Sequence, residues 1–304
     1  MPKLANIKKI AQLTGHNAAI FALSASAQPT HFLSAAGDGW VVEWDLQQPE
    51  TGRLLAKVET QIFSVLYLPA MGQVVVGNMN GGVHWVDLKQ PDRTLNVLHH
   101  QKGVYGIERV GEWVFTLGGE GRLSRWSIAE RRSVESFQLS NRSLRAIAHS
   151  PERQELAVGA SDHNIYVLDA NTLELKHVIE RAHDNSVFAL HYHPDGDLLY
   201  SGGRDAHLKV WDAHLNFANV SSQPAHLYTI NDIAFHPNGQ LLATASRDRT
   251  IKIWDAATFQ LLKVLDTIRD GGHINSVNRL FWSNYDNCLI SASDDRSIIL
   301  WGVS

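Results

Sequence analysis

Short apolar or alternating runs separated by turn residues recur along the chain. Ile230 to Phe235, Leu241 to Ala245 and Ile251 to Trp254 form one such group, with Pro-Asn-Gly and Arg-Asp turns between them. Period-two alternation and β-rich apolar content over such short stretches predict strands rather than helices. Arg53 to Val58, Ser133 to Leu139 and Leu261 to Leu265 predict a fourth strand in their own groups. No apolar run is long enough for a membrane-spanning helix.

The groups repeat with a fixed register. Trp211-Asp212 and Trp254-Asp255 each close an alternating segment, and each tryptophan follows an acidic turn residue, Asp205 or Asp248, by six positions. The same rule pairs Asp38 with Trp44, Asn80 with Val86, Glu120 with Trp126, Asp162 with Leu168 and Asp295 with Trp301. Seven segment ends result, spaced 42, 40, 42, 43, 43 and 47 residues. His16, His183, His226 and His273 precede the matching tryptophan by 28 residues, and His100 precedes Trp126 by 26. A period near 40 residues marks a repeat architecture, in which one unit cannot bury its own apolar faces and neighbours must stack on it.

With Gly15-His16 and Gly272-His273 at unit starts and Trp-Asp at residues 44, 211 and 254, the chain resembles the WD-repeat β-propeller family over nearly its whole length. The resemblance implies an all-β fold: a single seven-bladed β-propeller domain spanning residues 1–304, with four antiparallel strands per blade. The last unit stops at Ser304, soon after Trp301, and so lacks its own fourth strand. Ile7 to Leu13 sits just before His16, where the other units have that strand, so an N-terminal strand closing the last blade is expected. Such a strand would remove two sheet edges.

Four positions before the turn acid stand Ser34, Thr116, Ser201, Thr244 and Ser291, in the five units that carry a histidine. In the two units without one, the hydroxyl position holds Val76 or Val158 and the tryptophan position holds Val86 or Leu168. The joint loss of His, hydroxyl and indole predicts a hydrogen-bonded chain from indole through hydroxyl and imidazole to carboxylate, because half of such a network would leave a buried donor unpaired. A Ser-His-Asp set also suggests a hydrolase triad. Five copies, each coupled to an indole and none within a Gly-x-Ser-x-Gly elbow, favour a structural brace, the role that the resemblance also implies.

Composition narrows the function. There are 27 basic and 31 acidic residues, a net charge of −4, which provides no basic field for a nucleic acid. The single cysteine, Cys288, excludes an internal disulfide framework and any zinc site of several thiolates. Met1 to Leu13 mixes lysines among short apolar pairs and shows no signal-peptide core, so a cytoplasmic protein is expected, without membrane attachment. His193-Pro194-Asp195-Gly196 matches His236-Pro237-Asn238-Gly239 and reads as a turn rather than a metal site. Neither a metal nor a cofactor is expected.

In a propeller the loops bearing the turn acid and the histidine share one face, so their neighbours should ring the mouth of the central channel. Five residues after the histidine register stand Phe21, Phe63, Tyr105, Arg145, Phe188, Asn231 and Asn278; just before the turn acid stand Gly37, Met79, Gly119, Ser161, Arg204, Arg247 and Asp294. The family resemblance implies that such places contact partner proteins or peptides. Blades 1 to 3 would then present aromatic residues and Met79, while blades 4 to 6 present arginines, a combination suited to an acidic segment with a bulky side chain. The alternative is that the rings pack inward and the arginines pair with neighbours of Asp248 or Asp294. Between Trp254 and His273 the link is longer than its counterparts, and Asp266 to Gly271 is expected as an extended loop on the same face. The expected function is a non-catalytic scaffold that binds a peptide or partner domain at the channel mouth. The alternative is a propeller enzyme or small-ligand receptor with a pocket in the channel.

Overall fold

The computed structural model describes residues 6–303; Ser304 and the first five residues of the N-terminal segment lie outside the described residues. The short alternating runs form seven sheets of four antiparallel strands. Blade 1 consists of Ile20–Ala25, His31–Ala36, Trp40–Asp45 and Arg53–Lys57. The inner strands of blades 2 to 7 are Ile62–Leu68, Val104–Val110, Leu144–Ser150, Val187–Tyr192, Ile230–Phe235 and Val277–Trp282. These strands touch in cyclic order, the seventh against the first, and enclose the channel.

Each seam between consecutive blades holds its own buried apolar cluster. Ile7, Trp282 and Trp301 of blade 7 meet Ile251, Ile253 and Leu265 of blade 6 in one seam. Leu13, Ile290 and Ile298 of blade 7 meet Ile20, Phe32 and Trp44 of blade 1 in the next. The indoles Trp44, Trp126, Trp211, Trp254 and Trp301 each fill the seam with the preceding blade, and replacing one by alanine should remove about 3–5 kcal/mol in urea unfolding. Trp85, beside the missing indole at Val86, is also fully buried, but on the seam with blade 3, where its ring centroid lies 6.2 Å from that of Trp126.

Closure follows the expected route. Ile7–Leu13 pairs antiparallel with Ile298–Val303, placing Ile7 opposite Val303 and Leu13 opposite Ile298. The strand contributes Ile7 to one seam and Leu13 to the other, so it joins the ring through both faces as well as through its ladder. The link before His273 departs from expectation. Thr267–Asp270 forms a single helical turn rather than an extended loop, because the Asp266 carboxylate accepts from the N–H groups of Ile268 and Arg269, and Gly271 takes a left-handed φ of 66°.

All five braces form. Indole Nε1–H donates to the Ser or Thr hydroxyl at 2.8–3.0 Å in the sets ending at Trp44, Trp126, Trp211, Trp254 and Trp301. The hydroxyl meets histidine Nε2 at 2.7–2.9 Å. Nδ1 of His16, His100, His183, His226 and His273 reaches Asp38, Glu120, Asp205, Asp248 and Asp295 at 2.6–3.0 Å. A hydroxyl that accepts from the indole keeps its own proton for Nε2, so the neutral imidazole donates from Nδ1. In the four braces that end in aspartate the carboxylate also ties two loops together: Asp248, for one, accepts from Leu227 N beside the histidine and from Thr250 N in its own turn, at 3.0 Å each.

Where the histidine is missing, the acid position takes other partners. Asp162 accepts from Ser140 Oγ at 2.5 Å and from Tyr166 OH at 2.6 Å. In blade 2, Asn78 takes over by accepting from Asn80 N and Gly82 N, at 3.0 and 2.8 Å.

Burial lowers the pKa values of His16, His100, His183 and His226. Burial alone would raise Asp205, Asp248 and Asp295, but hydrogen bonds from their histidines hold them well below the usual carboxylate range. The unfolded chain therefore binds protons that the folded chain refuses. The stability that these brace groups contribute is complete above the ordinary histidine value of 6.5, falls below it, and falls again below the ordinary aspartate value of 3.8. In urea titrations the midpoint should drop between about pH 7.5 and 5; Thr244→Ala should remove about 1–3 kcal/mol at the higher pH. A flat midpoint together with an unaffected variant would show that the brace carries no stability. Deleting residues 1–14 should cause aggregation or a large fall in unfolding midpoint, whereas unchanged cooperative unfolding would contradict closure by the N-terminal strand.

Candidate functional site at the channel mouth

At the mouth end of every inner strand the ladder slips by one residue. The residues skipped in the register are Phe21, Phe63, Tyr105, Arg145, Phe188, Asn231 and Asn278. A bulge leaves its extra residue unpaired and turns that side chain away from the regular pleat. The same irregularity, repeated seven times, thus supplies the seven side chains expected around the mouth.

Five of them form a continuous row of flat groups. The Phe21 and Phe63 rings meet edge to face with centroids 5.3 Å apart, and Phe63 stacks on Tyr105 at 5.3 Å. The Arg145 guanidinium then lies 4.1 Å from the Tyr105 ring centre and 5.3 Å from that of Phe188. All five are half-buried, so each ring packs on its neighbour and still reaches the surface. The rings neither point wholly inward nor stand free.

The other two turn to their neighbouring blades. Asn231 Nδ2 donates to Val277 O at 2.8 Å and Ser276 Oγ at 3.0 Å. Asn278 Nδ2 donates to Ile20 O at 3.0 Å and to the Asp294 carboxylate at 2.7 Å. These amides join blades 6, 7 and 1, where the row of rings is interrupted. Among the residues before the turn acids, Gly119 makes room for Tyr105, Ser161 Oγ accepts from Arg145 Nε at 3.2 Å, and Met79 is 42% exposed. Gly37 lies against Phe21, where a Cβ would meet the ring at 3.5 Å. Arg204 and Arg247 are exposed, and neither side chain has an ion-pair partner among the described residues.

Below the mouth the channel holds a cavity of about 400 Å³. Its wall contains charged groups that the strand pattern did not single out. Asp232 Oδ2 accepts from Leu280 N at 2.8 Å, its other oxygen lies 3.4 Å from Arg279 Nη1, and Arg279 Nε donates to Phe21 O at 3.0 Å. Enclosure by the wall raises Asp232 above the usual carboxylate range despite Arg279, and it pushes Glu108 up to about 7. The outer rim was also missed: Leu227 and Tyr228 after His226, and Ile274 after His273, are 84%, 60% and 67% exposed. Their counterparts Asn17, Gln101 and Asp184 are polar, and that change of character was the available signal.

Each brace hydroxyl is completely buried beneath its indole, out of reach of a substrate carbonyl. Among the described residues no three His, Cys, Asp or Glu side chains converge as metal ligands, and no helix is long and apolar enough to cross a membrane.

The family model for the WD domain, G-beta repeat, matches residues 7–45, 174–212, 218–255 and 261–302, together more than half of the chain. The chain belongs to the WD40 family. The matched stretches of this WD40 propeller contain four of its five braces, and the unmatched middle contains both blades without one. The propeller is similar to the solved WD40 beta propeller domain of Doa1, with a TM-score of 0.85 and 18% identity over 98% of this chain and 97% of that one, a likeness of fold. It is also similar to Cilia- and flagella-associated protein 43 of Xenopus laevis, at 25% identity over 146 residues. That match takes in 45% of this chain and 8% of the relative, so the chain spans only a small part of that protein's length.

A Cβ at Gly119 would lie 2.7 Å from the Tyr105 ring and 2.9 Å from Lys102 Cβ. Gly119→Ala should therefore displace Tyr105 from beneath Arg145, with a loss of about 1–3 kcal/mol in urea unfolding and an altered near-ultraviolet circular dichroism spectrum. An unchanged spectrum and stability would mean that the contact does not hold the ring.

Proposed function

We propose that this WD40 propeller is a non-catalytic protein-interaction scaffold whose channel-mouth face binds a peptide or partner domain carrying acidic and bulky apolar side chains. The observation that carries this reading is the half-exposed row Phe21, Phe63, Tyr105, Arg145 and Phe188 beside Arg204 and Arg247, two exposed cations without ion-pair partners among the described residues. Rigid aromatic rings and arginines provide much of the energy in protein interfaces, because they bury large areas at small conformational entropy loss. The surface holds apolar area and positive charge together, which favours an acidic partner over a basic one. A cytoplasmic setting is part of the proposal, supported by one buried cysteine and by the likeness to a cilia- and flagella-associated protein.

Affinity capture from native lysate tests the face. The double variant Phe63→Ala with Arg247→Glu should lose partners that the unaltered protein retains, while its circular dichroism stays native. Undiminished recovery of every partner would remove the mouth as the binding face.

A further inference from the structure

We propose that Arg145 is a preorganised clamp for an oxyanion, and that the partner segment enters the mouth with a carboxylate seated on the guanidinium's two terminal nitrogens. The inference rests on the mouth-face reading above and specifies what that face recognises.

Three features separate Arg145 from the other cations of this face. First, its guanidinium packs against two rings, with the ring centres of Tyr105 and Phe188 4.1 Å and 5.3 Å from its central carbon. Second, Nε is already engaged, donating to Ser161 Oγ at 3.2 Å, which sets the rotation of the group about its stem. Third, both terminal nitrogens have no hydrogen-bond or ion-pair partner among the described residues, although the side chain lines the cavity of about 400 Å³ at the mouth. Arg279, by contrast, donates to Phe21 O and faces Asp232, so its charge is already answered inside the wall. Arg204 and Arg247 are exposed and carry no comparable ring contacts.

Rings beside the guanidinium take the place of water around it, and its two unpaired terminal nitrogens are a fork that matches two oxygens of a carboxylate or phosphate. A free arginine must order several rotatable bonds when it binds an anion. Arg145 is ordered beforehand by Tyr105, Phe188 and Ser161, so less conformational entropy is lost on binding. The neighbouring Phe63 and Phe21 rings continue the surface, so a bulky apolar side chain next to the acid would lie on them.

The test uses short immobilised peptides that combine Phe or Leu with Glu at varied spacing, each printed beside a copy with Gln for Glu and a copy with phosphoserine for Glu. Peptides that bind the full chain should weaken on the order of 10- to 100-fold when Glu becomes Gln. Arg145→Ala should remove that preference, and Arg145→Lys, which keeps the charge without the fork, should retain only a small part of it. Phosphoserine copies that bind more tightly than Glu copies would assign the same clamp to a phosphorylated source and overturn the carboxylate; copies that bind equally or more weakly would leave it with a carboxylate. Because the Glu-to-Gln exchange is made in the peptide, its readout does not depend on a variant's folding. Equal binding of Glu and Gln copies, or an array with no bound Glu peptide, would overturn the clamp. If binding is equal but disappears with Phe63→Ala and Arg247→Glu, the mouth remains a binding face and only the assignment of Arg145 falls.

Discussion

The structure depends on the apolar seam between adjacent sheets. A four-stranded sheet has two apolar faces and no means of covering them, so each blade is completed by the blades beside it. The buried clusters follow this logic, each drawing on two consecutive sheets and none confined to one. An open arc would leave two uncovered faces, so the ring must close. Ile7–Leu13 closes it by adding a hydrogen-bonded ladder to the last sheet and a buried side chain to each of two seams.

The brace connects this core to the surface. Its indole lies in the seam, its hydroxyl and imidazole carry the polarity outward, and in the four braces that end in aspartate the carboxylate binds backbone N–H groups in two loops at the mouth face. A bulky indole at this position brings a donor into an apolar interior, where an unanswered donor is costly, and in five blades the hydroxyl answers it; the buried indole N–H groups of Trp85 and Trp282, at other positions, have no such partner. Blades 2 and 4 solve the same problem by removing the donor: Val86 and Leu168 fill their places in the ladder opposite Val74 and Leu156 without polar atoms. Loop anchoring is then taken over locally, by Asn78 in one blade and by Asp162 with Ser140 and Tyr166 in the other.

At the mouth, the side chains that bridge neighbouring blades also reach the surface. The rings of Phe21, Phe63 and Tyr105 and the guanidinium of Arg145 bridge blades 1 to 4, so they hold seams shut while facing outward. Asn231 and Asn278 make the equivalent links with hydrogen bonds in the remaining arc. Their amides are consequently less available to a partner than the arginines and rings opposite them. This asymmetry divides the mouth into an arc of half-buried rings and a guanidinium and an arc of hydrogen-bonded amides.

Much of this was legible in residue order. The six-position offset between turn acid and tryptophan, the histidine 28 residues earlier and the joint loss of three side chains specified seven blades, the closing strand and every member of the braces, because these relations recur at a fixed distance along one chain. The places of Phe21, Phe63, Tyr105, Arg145 and Phe188 were legible too, but not their state. Whether a ring faces inward, outward or onto its neighbour depends on a bulge in the ladder and on the radial approach of residues about one repeat apart in sequence. Asp232, Arg279 and Glu108 were invisible for the same reason, since only closure of the ring turns those strand positions toward a common channel. The short helical turn at Thr267–Asp270 was instead a local feature, readable in principle from the Asp266 cap and Gly271. Repetition along the chain determined the architecture; contact across the ring, which no single repeat contains, decided the character of the site.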